Sequence, residues 1–496
     1  MLKRKIDDFL LRWKENRKQA LLITGARQIG KTFSIENFAN NNFESQLFIN
    51  FSIRTDLIDT FADLKNSDQL LIKLSAVAGE KMIPEKTIIF LDEIQLLYQR
   101  REELKKQGKI DSTSQDIITA MKAVVLEGKY RFILSGSLLG VTINDILLMP
   151  TGYMDTIEMY PLDFEEFLWA KGVGNEAIKY VKDCFTFEKE VDESINKLFL
   201  DYFEEYVLIG GMPEAVESYF KDKNIHLIQT IQEQIVDKYK YDITTYVKDE
   251  GKKLRIREIY NAIPSELNSK NKRFVSSHVV EKSFLKNKSL NDEFLWLTNA
   301  SVSIPVYNVT EATLPLQLAS ERKTLKLFVN DIGLLDSMLF STGIRENLLN
   351  KKKEINYGAP YENVVAQELK AHGFNEKIFY YNSKKHGEVD FIVEYNNEVL
   401  PIEIKSGKPD ELKIYNHTAL NNLINMYPID KAFVFGECNV VKETSVITQF
   451  PIYMISFIKK QWQWSLRYLY RGKYYTLGAI GTNGYIVSMY PIDGGK

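Results

Sequence analysis

Cysteine is almost missing from this chain: Cys184 and Cys438 are the whole supply, far apart and without metal-ligand spacing around either. A disulfide framework is thereby excluded, and a reduced, intracellular chain is the simple expectation. Histidine is nearly as scarce, with 5 scattered residues. Neither a zinc site nor a histidine-based nucleophile pair is supported. No uninterrupted apolar run approaches the ~18 residues that would cross a bilayer. The start, Met1-Leu2-Lys3-Arg4-Lys5-Ile6-Asp7-Asp8, is basic but never becomes an apolar signal core. A cytoplasmic location with no membrane partner is expected. Charge of one sign is also lacking: 64 basic residues meet 66 acidic ones, for a net charge of −2. The totals therefore give no global pull toward nucleic acid or an anionic surface.

What is present is enough apolar matter for several cores. Hydrophobic residues make up 45 % of the 496 residues and aromatics 12 %, which suggests about three domains at roughly 100–200 residues each. Over residues 1–170, short apolar runs alternate with amphipathic stretches. The runs are Ala20–Thr24, Leu47–Phe51, Thr87–Leu91 and Arg131–Leu134. That rhythm predicts a mostly parallel sheet with helices on both faces. The charged stretch Gln99–Gly108 reads as a solvated loop or helix end. Residues 171–250 read as helical, broken at Gly210-Gly211-Met212-Pro213, where Gly and Pro serve as ordinary helix-ending punctuation. Residues 251–345 carry helical periodicity at Ile256–Ile263 and Val275–Phe284, then alternating strands at Ser301–Val309 and Leu325–Val329. That order fits a winged helix-turn-helix. Residues 346–458 return to an α/β rhythm, with a helix at Tyr361–His372 and strands at Ile378–Tyr381, Asp390–Glu394, Glu398–Lys405 and Ala432–Phe435. The tail, 459–496, carries no motif.

One loop has chemistry written into it. Gly25-Ala26-Arg27-Gln28-Ile29-Gly30-Lys31-Thr32 follows an apolar strand and precedes a helix. Gly25 and Gly30 permit backbone angles that a Cβ resists. Successive amides can then gather around phosphate at a helix start. Lys31 would bring an ammonium to the β- and γ-phosphates, and the Thr32 hydroxyl would ligate Mg²⁺. Thr87-Ile88-Ile89-Phe90-Leu91-Asp92-Glu93 is a buried strand ending in two carboxylates. Asp92 is the expected magnesium partner and Glu93 the base that polarises the attacking water. Phe132-Ile133-Leu134-Ser135-Gly136-Ser137 is another buried strand with a polar end, and Ser135 or Ser137 is placed to sense the γ-phosphate. Arg27 is an unusual residue inside such a loop, where it could contact phosphate. Arg131 and Arg100 read as surface residues, with an arginine finger as the alternative role.

A second constellation combines Gly387-Glu388-Val389-Asp390 with Glu403-Ile404-Lys405. Asp390 and Glu403 would sit on neighbouring antiparallel strands joined by a turn at Asn396-Asn397, and Glu403 and Lys405 would face the same side of one strand. Two carboxylates and a lysine, joined by Glu362 on the preceding helix, can hold a divalent metal and activate water against a phosphodiester. Alternating charge on an exposed strand reads just as well as cross-strand pairing. Asp163, with Glu166 three residues on, is an N-cap pair and is assigned structure only. The run Lys270-Asn271-Lys272-Arg273 is either a solvated loop or a contact to nucleic-acid phosphate.

Taken in order, these motifs resemble the bacterial and archaeal AAA-type ATPases that carry a C-terminal DUF4143 domain. Phe90-Leu91-Asp92-Glu93-Ile94-Gln95, Tyr160-Pro161-Leu162, Gly210-Gly211-Met212-Pro213, Asp331-Ile332-Gly333-Leu334-Leu335 and Glu362-Asn363-Val364-Val365-Ala366 carry the likeness. The resemblance implies an AAA-like P-loop domain (1–170), a helical region (171–250), a winged-helix-like domain (251–345) and a C-terminal α/β domain similar to the restriction-endonuclease, PD-(D/E)xK fold (346–458). It implies ATP and Mg²⁺ as cofactors, with Lys31, Thr32, Asp92 and Glu93 in the nucleotide roles and Asp390, Glu403 and Lys405 in the nuclease-fold motif. DNA or another protein stays open as partner, as does the oligomeric state. Two functions remain: an ATPase whose nucleotide state controls the downstream domains, or a nucleotide-gated switch with negligible hydrolysis and a silent nuclease-like domain.

Overall fold

In the computed structural model the described residues are 2–491, apart from 17, 112, 137–151, 248, 270–273, 275–289, 351–357, 376, 408–415, 461–466, 471–472 and 481–485. Residues 1–458 form one compact unit and 459–496 a second.

The N-terminal sheet contains β1 (Ala20–Thr24), β2 (Ser45–Asn50), β3 (Thr87–Asp92), β4 (Arg131–Ser135) and β5 (Met154–Glu158). Its order is β2-β3-β4-β1-β5, and every pairing is parallel. The continuous apolar runs follow from burial on both faces. Leu21, Ile23, Phe90 and Ile133 point into one core, while Leu22, Leu47, Leu91 and Leu134 point into another. The four expected strands appear. β5 was not expected, because Met154-Asp155-Thr156-Ile157-Glu158 is only half-buried at the sheet edge and has no apolar run. The stretch Gln99–Gly108 is mostly the end of a helix, Gln95–Lys106. One of its charges is not solvated: Arg101 is buried and donates to the Gln115 carbonyl and to Ser114.

Helices fill 164–267, as expected. The break at Gly210-Gly211 is a helix end, with Pro213 starting the next helix. It is also a crossing point. A Cβ on Gly211 would lie 2.1 Å from the Leu162 carbonyl oxygen, and one on Gly333 would lie 2.5 Å from that of Ile209. Gly211 N–H donates to buried Asp331 at 2.6 Å. Three separate sequence motifs thus meet at one place.

The strand pair of the middle region departs from the winged-helix expectation. β6 (Ser303–Val309) and β7 (Ser320–Val329) pair antiparallel, but β6 also pairs in parallel with β8 (Ile378–Ser383). The hairpin is therefore the edge of an eight-stranded sheet of order β12-β13-β11-β10-β9-β8-β6-β7, and the boundary expected at 345 is crossed by hydrogen bonds. The helix expected at Val275–Phe284 and the basic run 270–273 lie outside the described residues. The rest of that sheet comprises β9 (Gly387–Tyr395), β10 (Glu398–Ile404), β11 (Ala432–Gly436), β12 (Val441–Lys442) and β13 (Ile447–Pro451). Asn396 and Asn397, both at positive φ, make the tight turn between β9 and β10. Helix Gly358–Leu369 lies against the sheet. Asn363 on it accepts from Val329 N–H at 2.8 Å and donates to Val329 O at 3.0 Å.

The capping pair forms as read: Asp163 accepts from Glu166 N–H at 3.0 Å. It also joins a polar junction. Lys5 and His372 reach Asp163, and Glu368 accepts from Phe164 N–H at 2.8 Å. The second unit, by itself, is a three-stranded antiparallel sheet of β14 (Arg467–Tyr470), β15 (Lys473–Ile480) and β16 (Ile486–Pro491). No helix among the described residues is long and apolar enough to cross a membrane.

Candidate functional site

β1 ends at Thr24, and the chain turns at once into helix Lys31–Asn42. Gly25 adopts φ +130, and a Cβ there would sit 2.2 Å from the Met159 carbonyl oxygen. Gly30, at φ +90, precedes the helix, and no side chain caps it. The first-turn amides are therefore left for an anion. Lys31 is buried and folds back on its own loop, donating to Gly25 O at 3.0 Å and Ala26 O at 2.7 Å. Burial pulls its pKa down to about 8, and Arg27 pushes the same way. Glu93 and Asp92 pull upward without restoring it.

Because β3 lies next to β4 and β4 next to β1, the ends of three strands converge below this loop. Asp92 is 2 % exposed and is the hub. Its Oδ2 accepts from Thr32 Oγ1 at 2.8 Å and Asn50 Nδ2 at 2.9 Å. Its Oδ1 accepts from the Ser135 hydroxyl and from Glu93 N–H at 3.0 Å. The structure thus joins Lys31, Thr32, Asp92, Glu93 and Ser135 in one place. Ser135 serves Asp92 here, while Ser137 lies outside the described residues. Glu93 takes φ +58, sparsely used by non-glycine residues, and its carboxylate accepts from Gln95. One hydroxyl and one carboxylate, Thr32 and Asp92, are the hard oxygen donors that suit Mg²⁺.

Sequence reasoning missed several members. Asn50 was legible only through register, since it pairs directly with Asp92. Arg4, read merely as part of a basic start, is buried and braces the loop from behind. It donates to Ile29 O at 3.0 Å and Tyr160 O at 2.7 Å. Asp242 comes from helix Ile225–Tyr246 and meets Arg27 at 2.5 Å. Tyr239 on the same helix donates to Arg27 O at 3.1 Å. Burial pushes Asp242 up to about 6, against the pull of Arg27. Neither finger candidate is poised to act. Arg100 pairs with Asp59 at 2.5 Å, and Arg131 stacks over Trp13 and donates to Lys14 O at 3.2 Å.

In the C-terminal sheet, Asp390 Oδ2 accepts from Ile404 N–H at 2.8 Å, and Lys405 pairs with Glu403 at 2.6 Å. Glu362 faces a residue that sequence reasoning did not single out, the fully buried Lys326 of β7, at 3.6 Å. Lys326 also meets Glu388 at 2.6 Å.

Three family models match the chain. Residues 17–168 match an AAA domain, residues 200–346 a domain of unknown function, DUF8612, and residues 357–453 the domain of unknown function DUF4143. The parallel sheet and its glycine-bent loop thus fall within the residues that match the AAA domain. The particular combination is an AAA domain followed by a C-terminal DUF4143 domain, as the motifs implied. An uncharacterized protein of Haemophilus influenzae is 23 % identical over 404 residues, spanning 78 % of this chain and 83 % of its own. A Walker-type ATPase of Pyrococcus abyssi is similar at 16 % identity and TM-score 0.36, covering 68 % of this chain and 96 % of that one. A signal-transduction ATPase with numerous domains from Pyrococcus horikoshii follows at 12 % identity and TM-score 0.23, covering 74 % and 48 %. At these TM-scores neither structure carries an inference to this chain.

Proposed function

We propose that this protein is a Mg²⁺-dependent ATPase whose nucleotide state is read by the helical middle region. One observation supports the reading above others: a buried carboxylate, Asp92, collects Thr32, Asn50 and Ser135 beneath a loop whose lysine, among the described residues, hydrogen-bonds to that loop's own carbonyls. An ammonium that is buried, depressed in pKa and bonded to neutral oxygens has unspent attraction for an anion. Lys31 turns from Gly25 and Ala26 to the β- and γ-phosphates, and the uncapped helix start adds amides. Thr32 and Asp92 would hold Mg²⁺, which supplies charge neutralisation on the phosphates. Glu93, adjacent to Asp92 and oriented by Gln95, orients and deprotonates the attacking water. Arg27 is shared between the incoming phosphate and Asp242, so occupancy of the loop is felt by helix Ile225–Tyr246. DNA or another protein is the class of partner on which such a movement would act.

The test is phosphate release by the full chain, with and without DNA. Wild type is expected to turn over, Lys31→Ala to lose turnover with its fold intact, and Glu93→Gln to bind ATP without hydrolysing it. Unchanged turnover in Lys31→Ala would refute the assignment. Tight ATP binding with no phosphate release in wild type would favour the non-hydrolysing switch.

A further inference from the structure

The motif residues of the C-terminal sheet would, in a metal-dependent nuclease, gather carboxylate oxygens around a divalent cation. Here a cation of the chain's own is already among them. Lys326 has no exposed side-chain surface. A buried ammonium is tolerated only if paired, and the pairing falls on the very cluster in question. Nζ lies 2.6 Å from Glu388 and 3.6 Å from Glu362, with the Tyr380 ring centroid 5.0 Å away. Asp390 lies two residues on from Glu388 in β9 and so shares its face of the strand. The remaining carboxylates are also engaged: Asp390 with Ile404 N–H, and Glu403 with Lys405. Glu403 Oε2 is buried and takes no hydrogen bond among the described residues.

We propose that the ammonium of Lys326 is the resident cation of this carboxylate cluster, standing where a divalent metal would be expected, and that the cluster is a charge lock rather than a phosphodiester-cleaving centre. The lysine and the acids come from different parts of the chain. Lys326 belongs to the hairpin within residues 200–346, and Glu362, Glu388 and Asp390 belong to residues 357–453. The lock therefore fastens the hairpin edge of the sheet to its centre and to helix Gly358–Leu369. A residue list drawn from 357–453 alone does not contain the lysine. Glu362, which the motif would lend to a divalent ion beside Asp390 and Glu403, lies 3.6 Å from this ammonium instead, so an ion held through Glu362 would meet like charge at close range in a buried setting, and the residues present do not fit a metal there.

The test uses the full chain with Asp92→Asn throughout, which removes the N-terminal magnesium position, and reads Mn²⁺ binding by electron paramagnetic resonance. With Lys326 intact, no site sensitive to Asp390→Asn is expected. Lys326→Ala is expected to open one Mn²⁺ site per chain, with a Mn²⁺-dependent rise in melting temperature that Glu362→Gln abolishes. A folded Lys326→Ala chain without such a site would overturn the claim that the lysine stands in for a cation. If Lys326→Ala does not fold, the Lys326-intact chain decides alone. Mn²⁺ binding lost on Asp390→Asn, or Mn²⁺-dependent nicking of DNA or RNA lost with it, overturns the proposal; equal, absent binding and absent nicking in both uphold it. None of these readouts depends on ATP turnover.

Discussion

Lys31 and Lys326 both lie buried near carboxylates, and their environments drive them in opposite directions. Lys31 bonds to two backbone carbonyls, and burial brings its pKa down to about 8. Lys326 touches two carboxylates and feels a third, and it is held above the ordinary lysine range although burial opposes this. Burial is common to both, so burial does not decide the role. What decides it is whether the chain supplies the counter-charge. Lys326 is neutralised by the chain's own carboxylates and serves cohesion. Lys31 is left wanting an anion, which is what a phosphate site needs and a stable fold does not.

That contrast can be broken experimentally, most forcefully on stability. Lys326→Met strands buried carboxylates and is expected to destabilise the protein by about 3–5 kcal/mol in urea unfolding. A loss below about 1 kcal/mol, the range of an exposed pair, would show the lock to be idle. Lys31→Met should do the reverse. The displacement from 10.5 to about 8 corresponds to an ammonium disfavoured by roughly 3 kcal/mol at neutral pH. Loss of two carbonyl contacts offsets part of that gain, so the nucleotide-free variant is expected to be more stable by about 1–2 kcal/mol. The folded pKa lies below the unfolded one, so the penalty is full below about pH 8 and fades between there and 10.5. The wild-type deficit against Lys31→Met should shrink over that window, as urea titrations at stepped pH would reveal.

The same pKa sharpens the comparison on ligand binding. A triphosphate favours the charged lysine, so at pH 8 ATP binding should take up roughly half a proton. Calorimetry in buffers of different ionisation enthalpy reads this directly, and the uptake should fall away toward about pH 6, where the lysine is already charged before ATP binds. The smallest effect concerns Arg27. Asp242→Asn frees that guanidinium and removes a negative charge near the loop, so nucleotide should bind about two- to fivefold tighter. In an Arg27→Ala background the gain should shrink to the part due to the lost negative charge.

How much of this was legible in the sequence follows a physical pattern. The phosphate loop and the Asp92-Glu93 strand end could be read because their residues are contiguous and their geometry is local: two glycines at positive φ, and an apolar run ending in carboxylates. Strands buried on both faces announced themselves for the same reason. β5 did not, because a half-buried edge strand needs no apolar run. The winged-helix reading was not confirmed: hairpin periodicity says nothing about which sheet the hairpin joins, and β6 pairs with β8. Asn50, Arg4, Asp242 and Lys326 were missed because each acts across a long stretch of chain. Asn50 needed the register of β2 on β3. Lys326 sits in an alternating strand where a single basic residue reads as solvent-facing, and only the folded sheet shows it fully buried.

The distinction between an ammonium awaiting a ligand and one already neutralised rests most directly on ATP–Mg²⁺ calorimetry of three full-length proteins. Wild type should bind one nucleotide per chain, Asp390→Asn should bind it equally well, and Lys31→Ala should not bind it measurably. Equal binding by Lys31→Ala, or binding that disappears with Asp390→Asn, would contradict the account.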